Sequence, residues 1–151
     1  MIDFMDTRIG EVLRKGQMLS DAAAWFDTFD YKTNRQILDW IREDQLTKEG
    51  IDEDGNVVGY YSLLTELISG GRKKFNTPFT LDDTGEFYRA MFVIALKDSI
   101  VIDADGQKGE DNLFELYGDG IIGLTDENMD KLRAIVREKY IEYARRALGV
   151  D

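Results

Sequence analysis

The strongest constraint in this sequence lies near its C-terminal end. Met129, Leu132, Val136, Tyr140, Tyr143 and Ala147 recur every three or four residues, the spacing that lines side chains along one face of an α-helix. Thr125 stands where an N-cap belongs and Gly149 where a left-handed residue would end the helix. The pattern predicts a helix from Thr125 to about Leu148. Ala134, Ile141 and Leu148 add a flanking strip at spacing seven, so the apolar arc is wider than one packing surface requires. Such an arc suits either a helix set deep in its own core or one whose second strip packs on a neighbouring subunit.

Upstream, the texture falls into two parts. Ala22, Trp25, Phe26 and Phe29 sit at helical spacing behind Ser20 or Asp21 as a cap. A further helix is expected from about Thr33 to Lys48, burying Ile37, Leu38, Trp40 and Ile41 and stopped by Gly50. Residues 2–19 add a looser N-terminal helix through Ile9, Val12 and Leu13. From Asp54-Gly55 onward the signals change to turns and extended chain: Val57, Val58, Tyr60 and Tyr61, then a helical turn or two over Ser62–Ile68. Gly70-Gly71 opens a loop, and Pro78, the only proline, restarts extended chain. Thr84-Gly85-Glu86-Phe87 reads as a cap and first turn. Met91–Leu96 and Ser99–Ala104, flanking Lys97-Asp98, read as a β-hairpin, and 111–117 as a short amphipathic piece. The expected fold is α+β: N-terminal helices, a small antiparallel sheet and a long C-terminal helix in a single domain over 1–151.

Composition narrows the chemistry. The 151 residues contain neither cysteine nor histidine. That excludes disulfide scaffolds, zinc fingers, thiol nucleophiles, imidazole bases and the triads that depend on them. No apolar run approaches the roughly 20 residues that span a bilayer, and Met1 opens no signal-peptide pattern, so a soluble protein made in the cytoplasm is expected, with no membrane partner. The formal charge is −11, from 30 acids and 19 bases. A chain so acidic repels nucleic acid overall, which disfavours a DNA-binding module.

The charge is also unevenly placed. Ten acids lie between Asp98 and Asp130 with Lys108 as the one base. Between Lys131 and Arg146 six bases, among them Arg137 and Arg145, face only Glu138 and Glu142. Helix-dipole complementation accounts for this order; so does a head-to-tail contact between one subunit's acidic patch and the next one's basic helix. The second reading makes Lys131, Arg137, Ile141, Arg145, Arg146 and Leu148 candidate subunit-interface residues. Arg72-Lys73-Lys74 is a basic tip on an acidic chain. It is either a solvated loop or a finger that grips an acidic partner or touches nucleic-acid phosphates.

Motifs for catalysis or cofactors fail on context. Gly118-Asp119-Gly120-Ile121-Ile122-Gly123 matches G-x-G-x-x-G, but no second strand with an acidic residue follows, and Asp119 and Asp126 would repel a pyrophosphate. A glycine-rich turn into the last helix is the better account. The loops at Asp52-Glu53-Asp54-Gly55 and Asp103-Ala104-Asp105-Gly106 resemble calcium loops, yet if their glycine takes position six, position one is Gly50 or Val101. At most a weak surface Ca²⁺ or Mg²⁺ contact follows. Asp82/Asp83 is one carboxylate pair among many and nothing singles it out. No cofactor and no enzymatic activity are expected; a small hydrolase would need one specific carboxylate to be essential.

One pattern is familiar as a whole. Asp54-Gly55, Gly59-Tyr60-Tyr61-Ser62, Thr65, a lysine-rich loop with a proline, Leu81-x-x-Thr84-Gly85-x-Phe87, paired strands, Tyr117-Gly118, Gly123-Leu124-Thr125 and a C-terminal helix follow one another over roughly 36–146. This order resembles the small tail-completion and virion-morphogenesis proteins of tailed bacteriophages, above all those of phages of Bacteroides-type bacteria. Many relatives carry a histidine where this chain has Tyr117-Gly118. The resemblance implies a structural virion protein of the head–tail connector, neck or tail-completion region. Its copies would form a homo-oligomeric ring, twelve to match a portal or six to match a tail tube, between portal, adaptor or tail proteins. Genomic DNA would pass through without specific binding, and an acidic lumen suits that role. The alternative is an acidic inhibitor or DNA mimic that occupies a basic partner's groove.

Overall fold

The computed structural model describes residues 8–19, 29–96 and 99–150, the side chains of Arg8, Ile9 and Met18 excepted. The helix expected around Ala22, Trp25 and Phe26 lies outside the described residues, as does the Lys97-Asp98 turn. The architecture is α+β. Helix α1 (Arg8–Leu19) precedes α2 (Tyr31–Asp39), which runs into a π-helix (Trp40–Glu49). Short helices α3 (Leu63–Ile68) and α4 (Glu86–Ala90) follow, then the hairpin β1 (Phe92–Ala95) and β2 (Ile100–Asp103). A second small hairpin, β3 (Gln107–Lys108) and β4 (Asp111–Asn112), leads into α5 (Leu113–Tyr117), a 3₁₀ turn (Asp119–Ile122) and α6 (Asp126–Leu148).

The core gathers side chains from most of these elements: Ile37, Leu38, Trp40, Ile41 and Leu46, with Phe87, Tyr88 and Met91, Leu113, Ile121, Leu124 and Leu132. Asp30 caps α2, its carboxylate accepting from the Thr33 backbone N–H and hydroxyl at 2.8 Å each, so this helix begins at Tyr31, two residues before the expected start at Thr33. The expected helix over 33–48 exists but changes pitch at Trp40. Buried side chains come as the pairs Trp40/Ile41 and Gln45/Leu46, five residues apart. In an α-helix a five-residue step rotates a side chain well off the face it started on; the wider π turn, bonded i to i+5, keeps both pairs on the core. Thr47 supports this winding by donating its hydroxyl to the Arg42 carbonyl five residues back, at 2.6 Å. Gly50 ends it at φ +65°, and a Cβ there would sit 2.5 Å from that of Pro78 and 2.7 Å from the Phe79 carbonyl oxygen. Only glycine meets both demands.

Extended chain after Asp54-Gly55 appears as isolated bridges, Ile51 with Val57 and Tyr60 with Pro78, both antiparallel. The main hairpin pairs Val93 with Ile102 and Ile94 with Val101. Val93, Ile100 and Ile102 face the core, whereas Phe92, Ile94 and Val101 lie exposed on the outer face. At α4 the cap is Gly85 in the left-handed region; the Thr84 hydroxyl, expected as the cap, donates to the Glu86 carboxylate instead. Helix α6 begins and ends where expected, with Thr125 accepting from the Asn128 N–H and Gly149 at φ +69°. Its stripe is core-facing only over the first half. Leu132 is buried and Met129, Ile135 and Val136 pack against the core, while Tyr140 is exposed and α1 lies alongside the helix.

Candidate functional site

Three surface features carry what this fold can present to a partner. The first is the basic tip. Residues 72–74 follow α3 and line a groove of about 590 Å³ together with Lys48, Tyr61, Thr77, Asp82 and Asp83. The three cations have different tasks. Lys73 is largely tied into the protein: its ammonium lies 2.7 Å from an Asp83 oxygen and 5.6 Å from the centroid of the Tyr61 ring, within cation–π range. Arg72 donates through Nε to the Ser69 carbonyl at 3.0 Å, and Lys74 is exposed. Lys108, from the second hairpin, holds the other Asp83 oxygen at 3.0 Å. The hydrogen bonds from Lys73 and Lys108 drive the Asp83 carboxyl down to about 2. Asp83 is therefore a clamp between two loops, and Lys48 a groove residue that sequence reasoning missed.

The second feature is α6. Of the six residues expected at a subunit interface, Arg137, Ile141, Arg145 and Leu148 stand three or four apart and share one face of the helix. Ile141 and Leu148 are exposed there. Lys131 and Arg146 fall elsewhere and are engaged within the helix. Lys131 meets Glu127 at 2.8 Å and donates to the Asn128 side-chain carbonyl at 2.9 Å, and Arg146 pairs with Glu142. Arg133 similarly pairs with Asp130 at 2.7 Å. Intrahelical pairing thus uses much of the basic run, whereas Arg137 and Arg145 make no ion pair among the described residues.

The third feature is the helical turn expected over Ser62–Ile68, which forms as α3, but whose exposure was not anticipated. Helix α3 buries no residue; Leu63, Leu64, Leu67 and Ile68 are 58–78 % exposed and Phe75 beside them 57 %. Apolarity alone could not have found this, because the same letters at helical spacing describe a core helix equally well.

The motifs weighed for chemistry have structural tasks. In the glycine-rich run, Gly120 and Gly123 pack on Glu53, whose backbone N–H donates to the Gly120 carbonyl at 3.0 Å. The Glu53 side chain lies so close to Gly123 that any Cβ there would collide with it, which gives the glycine a packing role. The Asp52 carboxylate accepts from the Asp54 and Asn56 N–H groups, and Asp105 from that of Gln107, so both calcium-like loops use their acids to close turns. Gln45, buried in the π-helix, organises the start of α6. Its Nε2 donates to the Gly123 carbonyl at 2.9 Å, and its Oε1 accepts from the Thr125 N–H at 3.1 Å and from Asn128 Nδ2 at 2.8 Å. Tyr88 donates to the Thr80 carbonyl and meets the Thr47 hydroxyl at 3.2 Å; burial pushes its phenol up to about 12.

Among the described residues no helix is long and apolar enough to cross a membrane. Comparison of the chain with protein-family models, curated protein sequences and solved structures found no match in any of the three.

Proposed function

We propose that this chain is a structural subunit of a tailed-bacteriophage virion, assembling as a ring in the neck or tail-completion region with DNA passing through an acidic lumen. The observation that carries the reading is α3, an ordered helix whose apolar side chains all face outward on a chain of net charge −11. Contiguous exposed apolar surface of this kind marks a site of protein–protein contact. The exposed Arg137/Ile141/Arg145/Leu148 face of α6 supports the same reading, because ring closure needs two unlike surfaces on each copy. The net negative charge supports passage of DNA without retention. The order of motifs over 36–146, which resembles that of phage tail-completion proteins, supports assigning the contact to such an assembly.

The test is the solution mass of the purified protein, by light scattering across concentration and salt, together with images of negatively stained particles. A closed species near a multiple of six or twelve copies is expected, with no retention of duplex DNA. A monomer that binds a basic protein and is displaced by DNA would replace this reading with that of an acidic inhibitor.

A further inference from the structure

Helix α3 is held in place by polar bonds that leave its apolar side unused. Six residues are too few to form a stable helix alone, yet Ser62 accepts from the Thr65 N–H at 3.1 Å and Glu66 accepts from the Phe75 N–H at 2.7 Å. The Gly71 N–H returns to the Glu66 carbonyl at 2.9 Å. Several polar groups of the arm are thus paired within it, while Leu63, Leu64, Leu67 and Ile68 are exposed and Arg72 and Lys74 follow at the tip. Such an arm is preorganised for a surface it does not itself contain.

A surface with the complementary properties lies elsewhere on the same fold. The core is open between β2 and α6, where Ile100, Ile102, Ile122, Met129 and Val136 wall a largely apolar groove of about 510 Å³. Glu53 and Asp119 stand in its lining, and neither makes an ion pair among the described residues. The groove has the size of a small-ligand site, but its polar side chains are two carboxylates and the Ser99 hydroxyl beside aliphatic walls, which suits an apolar segment trailed by cations.

We propose that α3 of one copy docks into the β2–α6 groove of a second copy, with Arg72 and Lys74 of the first against Glu53 and Asp119 of the second. The contact joins two different surfaces, so every copy offers an arm and a groove, and repetition closes a ring or extends a chain. This inference deepens the ring reading and rests on it.

The absence of cysteine allows a direct test. Ile68→Cys and Ser99→Cys, both at exposed positions, are made on separate copies, mixed, and treated with a short bis-maleimide. Ser99 lies at the groove. Docking brings the two thiols to a high effective concentration, so the mixed cross-linked dimer is expected in roughly tenfold excess over either single-variant dimer. Leu67→Asp with Ile68→Cys should abolish that excess, and so should Asp119→Lys on the groove copy, the latter restored when the arm copy carries Arg72→Glu and Lys74→Glu. Mixed and single-variant dimers in equal yield would overturn the docking. The wild-type mass separates the two claims: a closed oligomer without the mixed cross-link refutes this seam and leaves the ring, whereas a mixed cross-link in chains that never close supports the seam and refutes the ring.

Discussion

Gln45 is the residue on which the joint between the π-helix and α6 depends. It is 2 % exposed and satisfies three partners. Gln45→Met keeps the volume but strands the Gly123 carbonyl, the Thr125 N–H and the Asn128 amide in a buried place. A loss of roughly 3 kcal/mol of unfolding free energy is expected, read from urea denaturation; a loss within about 0.5 kcal/mol would show that the network is dispensable. Asp83 predicts an acid dependence. Its carboxyl ordinarily titrates near 3.8 and is driven to about 2 by Lys73 and Lys108, so the folded state binds that proton less readily than the unfolded chain. The contribution is present above pH 4 and is lost as pH falls through about 2. Urea midpoints of the wild type should fall over that window relative to those of Asp83→Asn, which lacks the group; parallel curves would exclude the clamp. Neither Gln45 nor Asp83 is conspicuous as a letter among nine amides and 30 acids, because their roles come from what long-range folding brings to them.

At the level of elements, legibility follows the range of the signal. The bounds of α6, with its Thr125 cap and Gly149 stop, were legible because caps act within a turn. So was the β1–β2 hairpin, whose apolar segments flank polar residues. The π winding over Trp40–Glu49 was not, since a helical pattern of this length reads as α by default and only the packing of Ile41 and Leu46 on one core selects the wider turn. On α6 the structure divides a basic run that reads as uniform. Reversing Arg137 and Arg145 to Glu changes the free face, and reversing Lys131 and Arg146 disrupts intrahelical pairs worth about 0.3–0.5 kcal/mol each. The first pair of changes should lower the oligomer mass measured at low salt, while the second should leave the mass unchanged. The opposite ranking would remove the α6 face from the interface.

Across the whole molecule, aliphatic side chains of similar size have opposite standing. Ile121 is fully buried and Leu67 is 71 % exposed. Ile121→Ala should cost about 2–5 kcal/mol through lost burial and a residual cavity, whereas Leu67→Ala should change stability by less than about 0.5 kcal/mol. Chemical denaturation of the two variants checks both values, and a large loss at Leu67 would mean that α3 belongs to the core. Local chemistry in the sequence determined the α+β class, the ends of the principal elements, the turn at Asp54-Gly55 and the exclusion of cysteine and histidine chemistry, because caps, periodicity and residue types act over a few positions. Tertiary structure alone decided which apolar stripes are covered and which acids are clamped, and that Glu53 packs on the glycine-rich turn. Hydrophobicity records that a side chain avoids water, not whether its own chain covers it; the packing of distant segments settles that, and it leaves α3 and the β2–α6 groove exposed.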